Sequence, residues 1–298
     1  MHYKITHTTT YSYSEAVSIC HNEVHLTPRD MPRQKCLLHR LTIRPNPAVS
    51  DQQTDYFGNQ ITFFTIQQTH RKLVISALSR VEVLATATPD PLATPAWETV
   101  VQGLKKDLSP NGLDVFQYSH ASPQIPVSHV MADYARQSFT PGRPILSALL
   151  DLNARIHRDF KYDPTATTVS TPLLEVFRLR RGVCQDFAHL GIGCLRSLGL
   201  AARYVSGYLR TNPPPGKARL VGADASHAWL SAYLPGVGWI DIDPTNNSLP
   251  QTDHLTLAWG RDYGDVCPVQ GVVLGGGNHS MHVAVDVEPL DDNRGSVD

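Results

Sequence analysis

The spacing of the apolar residues changes near residue 90, and this change limits the folds that the chain can adopt. Over residues 1–88 apolar and polar side chains alternate, which is typical of strands. Pro89, Pro91 and Pro95 then interrupt any regular element. Beyond them apolar residues recur every three or four positions, which predicts helices. Strands followed by helices and further strands predict an α+β fold whose first part is an antiparallel β-sandwich.

Two core-facing helices are predicted directly after the prolines. The apolar face of the first consists of Trp97, Val100, Val101, Leu104 and Leu108. The second runs from Ile145 to Phe160, with apolar residues at spacings of three and four. We therefore divide the chain into a β-rich N-terminal domain at 1–88, a second domain at 89–260 that contains the predicted helices, and a C-terminal extension at 261–298.

A short helix followed by a longer one is predicted in the middle of the chain. Pro172 suits the first turn of the short helix, which should end near Arg180, and Gly182 is available as a left-handed cap. The longer helix begins near Cys184 and has an apolar face, with Gly199 placed to cap its end. One side of this helix should be buried.

Aromatic and β-branched residues predict strands after that helix. The three segments are AARYVSGYL, HAWLSAYL and GWIDIDPT, and the last two are joined by a glycine-containing turn. Nearer the C-terminus a run of three glycines precedes an alternating segment, so one more strand is expected there.

Cys184 is the candidate nucleophile because it opens a helix. The free N–H groups and the positive end of the helix dipole then lie near its sulfur and favour the thiolate form. The same N–H groups can hold a developing oxyanion. A cysteine at a helix start is more often a small buried hydrophobe. The other residues of a catalytic site must therefore support the assignment.

His227 and Asp243 supply those other residues. His227 begins one predicted strand and Asp243 ends the next, so antiparallel pairing can bring the two side chains together. An imidazole held by a carboxylate can pair with a thiolate and then protonate a leaving amine. Asp241 points to the same side of its strand as Asp243, so periodicity alone does not separate them.

Three motifs resemble the transglutaminase-like superfamily of papain-like cysteine enzymes. They are RRGVCQDFAHL, the HAW of DASHAWLSAYL, and GWIDIDPTNN. The resemblance implies that Cys184, His227 and Asp243 form the catalytic triad, with Asp243 chosen because it precedes Pro-Thr. It implies a core in which the helix bearing the cysteine packs on an antiparallel sheet. The N-terminal strands and the segments GRDYGDVCPVQG and GGGNH resemble a bacterial branch of this family.

Three further residues are weaker candidates for binding substrate or an oxyanion. Tyr162 lies upstream of the nucleophile, where papain-like enzymes have a polar oxyanion group. Gln185 lies in the first turn of the predicted helix, and His279 lies beside the glycine run.

Charge and cysteine content limit the partners and the location. Lys and Arg number 26 against 27 acidic residues, with no block of like charge, so neither nucleic acid nor a membrane is expected as a partner. The five cysteines have no paired spacing, which predicts free thiols in the cytoplasm. No linear zinc or phosphate-loop motif is present, so no metal and no cofactor are expected.

The leading hypothesis is a cysteine protease or amidohydrolase that forms a thioester on Cys184. Its substrate would be a peptide or another amide. The first alternative is a protein transglutaminase that links glutamine to amines. The second is a non-catalytic peptide-binding module that keeps the cleft without the chemistry, although all three triad residues are present. The sequence does not indicate an oligomeric state.

Overall fold

A computed structural model describes residues 1–211 and 225–290 of the chain. It is an α+β structure with two larger antiparallel sheets and a layer of helices. The α+β class predicted from the sequence is confirmed. None of the helices in the described residues is both long and apolar enough to cross a membrane.

The first sheet has seven strands and is organised around β1, which is 23 residues long. β1 alternates buried and half-buried side chains over its first part, as the period of two predicts. Its first half pairs with β5 and β13, and its second half pairs with β4 and β12. The strands of the N-terminal part are β1 (His2–Val24), β2 (Gln34–Arg44), β3 (Val49–Thr54), β4 (Gln60–Ile66) and β5 (His70–Val83).

The C-terminal segment contains the strand predicted after the glycine run and a second strand before it, which was not predicted. β12 (Val269–Gly275) and β13 (His279–Leu290) are joined at the predicted glycine run. Both strands pair with β1, which ends at Val24, 245 positions before β12 begins at Val269. The domain boundaries at residues 88 and 260 stay predictions, and residues 291–298 of the proposed extension lie outside the described residues.

In the order of the chain, the helices follow β5. They are α1 (Trp97–Lys106), α2 (Pro110–Phe116), α3 (His129–Arg136), α4 (Ile145–Asp159), α5 (Leu173–Leu179) and α6 (Cys184–Ser197). The prediction that Leu108 belongs to the face of the first helix was wrong, because α1 ends at Lys106 and Leu108 is 77% exposed. Ser109 instead caps α2, with Pro110 in its first position.

The second sheet has the order β10-β9-β8-β11 and receives α6 on one face. Its strands are β8 (Ala202–Leu209), β9 (Ala225–Leu234), β10 (Gly238–Ile242) and β11 (His254–Gly260), and a two-stranded parallel ladder joins β6 (Lys161–Tyr162) to β7 (Arg181–Gly182). Close packing of α6 on β9 requires a glycine, because a Cβ atom at Gly191 would lie 2.4 Å from Leu230 Cδ2. α6 and the strands β8, β9 and β10 correspond to the predicted helix and three strands.

Two side-chain amides from the N-terminal part cover the outer edge of β11. Gln34 donates to the carbonyl of Thr256 (2.7 Å) and accepts from its N–H (2.8 Å). Asn59 makes the same pair of bonds with the backbone of Trp259, at 2.9 and 3.0 Å. These bonds satisfy backbone groups that an edge strand would otherwise leave unpaired.

Candidate active site

Cys184 is the first residue of α6, as the sequence predicts. The residue before it, Val183, has an extended backbone and no side chain that caps the helix. The first N–H groups of α6 are therefore available to a bound oxyanion. The Cys184 side chain is half-buried and is a free thiol. Its position combines access from solvent with the positive end of a helix dipole.

The backbone before Cys184 is fixed by a buried carboxylate. Asp186 accepts hydrogen bonds from the Val183 N–H (2.9 Å) and from the Thr167 hydroxyl (2.7 Å). The prediction that Gly182 is a left-handed cap was wrong, because Arg180 takes the left-handed conformation, with φ of 54°. The guanidinium of Arg180 lies over aromatic rings nearby, which favours this unusual backbone. Gly182 is needed for a different reason, which is its close approach to Asp186.

Replacing Gly182 by alanine is expected to destabilise the protein by roughly 1–3 kcal/mol. The added Cβ would lie 2.4 Å from the Asp186 carboxylate, so the turn before the nucleophile has to shift. Gly103→Ala is the matched control, since a Cβ at Gly103 in α1 meets no atom within 4 Å and removes a glycine from a helix. Urea unfolding measures both changes, and equal effects of the two substitutions would contradict this reading of Gly182.

His227 and Asp243 are held together at the ends of β9 and β10. His227 Nε2 lies 2.8 Å from Asp243 Oδ2, and both side chains are buried. The other carboxylate oxygen accepts the N–H groups of Thr245 (2.9 Å) and Asn246 (3.2 Å). The carboxylate is thus fixed by backbone donors on one side and presents its second oxygen to the imidazole.

His254 is a neighbour of the predicted triad that the sequence analysis missed. Its Nε2 lies 3.0 Å from Asp243 Oδ2, and the ring packs edge-on against Trp229. The Asn246 side chain donates to the same oxygen at 2.7 Å. His254 opens β11, and no sequence motif marks it. The one available sequence signal was the alternation of residue types in β11, which predicts a strand.

Burial and hydrogen bonding act in opposite directions on His227. Burial favours the neutral imidazole, but hydrogen bonds to Asp243 and Cys184 outweigh it and raise the pKa of His227 to about 9. For Asp243, burial disfavours the carboxylate, but hydrogen bonds from His227 and His254 hold its pKa well below the usual range. The site therefore favours an imidazolium beside an ionised carboxylate at neutral pH.

The raised pKa of His227 gives a pH dependence of defined sign. Its stabilising charge is fully present below the usual pKa of 6.5 and is lost as the pH rises through about 9. Above pH 9 the imidazole also lacks the proton that a leaving amine needs, so turnover should fall about tenfold per pH unit. Alkylation of Cys184 needs only the thiolate and should not fall with it. A pH profile of both rates tests this, and a parallel decline would contradict it.

The three weaker candidates lie at different distances from the nucleophile. Tyr162 is half-exposed beside Gly182 in the β6–β7 ladder, and burial followed by the charge of Cys184 raises its pKa. Gln185 follows Cys184 and donates to the Val169 carbonyl at 3.4 Å. His279 is exposed on β13 and contacts the ring of Tyr13. Of the three, the described interactions place only Tyr162 near the thiol, whereas Gln185 is its neighbour in the sequence.

Asp241 has a partner outside the triad. Its carboxylate binds the guanidinium of Arg33 at 2.8 Å, in a pair that is 9% and 12% exposed. Arg33 also donates to the Gln251 carbonyl (3.1 Å). Asp241 therefore joins the N-terminal part of the chain to the second sheet.

Asp241→Asn is expected to lower the free energy of unfolding by roughly 1–3 kcal/mol, because it leaves a poorly solvated guanidinium without its counter-charge. Turnover of the folded variant should change little. Asp133→Asn is the control, since its ion pair with Arg136 is exposed and should contribute under about 1 kcal/mol. Denaturant unfolding and turnover at low temperature separate the two effects. A large loss of turnover in stable Asp241→Asn would assign Asp241 to the triad instead.

His227, Asp243 and His254 also meet the distance requirement for a metal site, since their ligand atoms lie within 4.8 Å of one another. The chemistry of the group differs from a typical site. One carboxylate oxygen, Asp243 Oδ2, already accepts from both imidazoles and from Asn246. A bound ion would have to replace these hydrogen bonds. The donor set fits a hydrogen-bonded network better than a metal centre.

Comparison with known proteins places this chain in a family. Residues 3–82 match the bacterial transglutaminase-like N-terminal region, and residues 132–244 match the transglutaminase-like superfamily. An uncharacterized protein of Mycobacterium tuberculosis is 42% identical over 301 residues, covering 97% of this chain and 93% of the relative. A protein-glutamine gamma-glutamyltransferase of Pseudomonas aeruginosa is 30% identical over 140 residues, covering 44% of this chain and 20% of that protein.

The fold agrees with this assignment. The crystal structure of a candidate cysteine protease from Cytophaga hutchinsonii superposes with a TM-score of 0.75 at 23% identity, covering 100% of this chain and 94% of that one. At that identity the likeness concerns the fold. All three predicted triad residues fall within the matched range 132–244. The chain therefore belongs to the transglutaminase-like superfamily, and its first 82 residues contain the bacterial N-terminal region of that family.

Proposed function

We propose that this protein is a cysteine-dependent acyl-transfer enzyme that cleaves peptide or other amide bonds through a thioester on Cys184. One observation carries the proposal. His227 is hydrogen-bonded to the buried Asp243 carboxylate, at 2.8 Å, and also interacts with the Cys184 thiol at the start of α6. The nucleophile, the acid–base group and the orienting group thus form a series of interacting side chains.

The residues perform the reaction in two steps. The Cys184 thiolate attacks the amide carbonyl carbon, and the N–H groups at the start of α6 hold the resulting oxyanion. His227 gives its proton to the departing amine as the C–N bond breaks, leaving a thioester. The neutral imidazole then takes a proton from water as that water attacks the thioester. Release of the acid restores the thiolate and the imidazolium.

Transfer to an amine is the second candidate reaction. It shares the thioester and differs only in whether an amine replaces water in the second step. The similarity to the gamma-glutamyltransferase of Pseudomonas aeruginosa over 140 residues favours considering it. Water is present at every site, whereas an amine has to be bound, so we take hydrolysis as the default reaction.

Incubation of the protein with a cell lysate tests the proposal and separates the two reactions. Mass spectrometry should find new peptide termini or deamidated glutamines with the wild type and not with Cys184→Ala. New amide cross-links instead would indicate transamidation. Identical peptide populations with both proteins would contradict acyl transfer on Cys184.

A further inference from the structure

A cavity of about 350 Å³, lined in part by the residue that precedes His227, has no part in the mechanism above. It is bounded by β1, β13, the start of β9 and the segment from Tyr263 to Val269. Its volume lies at the lower end of the range of ligand pockets in proteins.

One wall of this cavity is built by two paired strands in register. His7, Thr9 and Tyr11 lie on one face of β1, because residues two apart in a strand share a face. Each is directly opposite a residue of β13 that also lines the cavity. The three cross-strand pairs are His7 with Val285, Thr9 with Val283, and Tyr11 with Met281.

The cavity is uncharged at neutral pH. None of the described residues that line it is Asp, Glu, Lys or Arg. Burial lowers the pKa of His7 to about 4, and its two ring nitrogens are bonded to Thr9 (2.8 Å) and Tyr208 (2.9 Å). Burial raises the pKa of Tyr11 to about 12. A charged group entering the cavity would lose its hydration without gaining a counter-charge, so the lining favours an apolar occupant.

Tyr263 connects the cavity to the helix that bears the nucleophile. Its N–H donates to His189 of α6 at 3.1 Å, and its ring packs edge-on against Tyr204, with 6.3 Å between ring centroids. The ring of Tyr204 also contacts the ring of His189, with 5.0 Å between their centroids. The pKa of Tyr204 is raised by burial and, to a smaller extent, by the charge of Cys184. On the opposite side, Ser226 lines the cavity and directly precedes His227. Tyr263 and Tyr204 thus link the lining of the cavity to the surroundings of Cys184.

We infer that this cavity binds an uncharged apolar or aromatic side chain of the substrate, within the first two residues on the acyl side of the amide that Cys184 attacks. The inference rests on the proposed function and adds a substrate class to it. Met281 and Val283 are 60% and 40% exposed, so the rim of the cavity is open to an incoming side chain. The flexible thioether of Met281 can adjust to side chains of different shape.

Dipeptidyl chloromethyl ketones test the inference without a known substrate. In this reaction the thiolate displaces chloride from the methylene carbon, so an S–C bond forms and a C–Cl bond breaks. Glycine, leucine, phenylalanine, lysine and glutamate are placed in turn at each of the two positions, and the rate of modification of Cys184 is measured. At one position the leucine and phenylalanine reagents should react roughly 10- to 100-fold faster than the glycine reagent, as burial of one such side chain predicts.

Two variants locate this preference in the cavity. Val283→Glu places a charge at the rim and should reduce the preference to within about threefold. Val272→Glu is the matched control, because Val272 is an exposed strand residue of β12 that does not line the cavity, and the preference should persist. If circular dichroism shows that Val283→Glu does not fold, Met281→Ala replaces it and should lower the preference at least threefold.

Iodoacetamide, which carries no peptide, separates failure of this inference from failure of the proposed function. Cys184 should react with it at the same rate in the wild type and in both variants. Equal rates with all side chains, faster reaction with lysine or glutamate, or a preference unchanged in Val283→Glu would overturn the inference while leaving a reactive Cys184. Failure of Cys184 to react with iodoacetamide would instead overturn the proposed function.

Discussion

Cys184→Ala is expected to lower amide turnover by roughly 10⁵-fold, because removing the nucleophile of a triad abolishes the covalent route. No neighbouring thiol can replace it in the described geometry. The residual rate would come only from binding and from the donors at the start of α6. Turnover of a peptide amide by purified wild type and variant, normalised to folded protein, measures the effect.

Cys194→Ala is the control for this loss. Cys194 is a buried residue further along α6. Burial raises the pKa of its thiol to about 12, so this thiol is inert at neutral pH. Its removal should leave turnover unchanged and reduce stability by about 1 kcal/mol through the small cavity that it creates. Retained turnover in Cys184→Ala would contradict Cys184 as the nucleophile, whereas absence of turnover in the wild type would favour the non-catalytic peptide-binding module.

Asp243→Asn should be the next most damaging change, with turnover lowered by roughly 10² to 10³. In a serine protease the same exchange costs about 10⁴, because the imidazole is held in the wrong tautomer. A thiolate–imidazolium pair depends less on the carboxylate, so a smaller loss is expected. The fold should persist, since the amide oxygen can still accept the N–H groups of Thr245 and Asn246.

His254→Gln tests whether the surroundings of Asp243 also matter. Glutamine can donate a hydrogen bond to Asp243 Oδ2, so turnover should fall less than in Asp243→Asn. Turnover and unfolding of both variants are measured under the same conditions. If His254→Gln is the more damaging at equal stability, His254 acts on the reacting groups rather than through the carboxylate.

The sequence predicted the elements of the candidate site that depend on local signals. A helix start at Cys184, a strand containing His227 and a strand that ends directly before Asp243 each follow from short-range periodicity and caps. Gly182 was assigned the wrong role because a glycine has two uses, a left-handed backbone and a close approach. The sequence does not show that Asp186 returns to within contact distance of it.

Features that depend on distant pairing could not be predicted. His254 reaches Asp243 because β11 pairs with β8. β8 lies between β11 and β9, and it carries the small residue Gly207 opposite His227. The pairing of β12 and β13 with β1 joins opposite ends of the chain. Alternation marks a strand but does not identify its partner, since register is set by the whole sheet. The cavity lined by β1 and β13 could not be predicted for the same reason.

The amide pairs along β11 have a consequence for how the two parts of this chain can be separated. Gln34 and Asn59 occupy the hydrogen-bonding positions that a further strand would otherwise fill. A fragment without the N-terminal part would expose those positions as a template for strand addition, and a second copy could pair there. We therefore expect the N-terminal part to protect the edge of the second sheet against self-association.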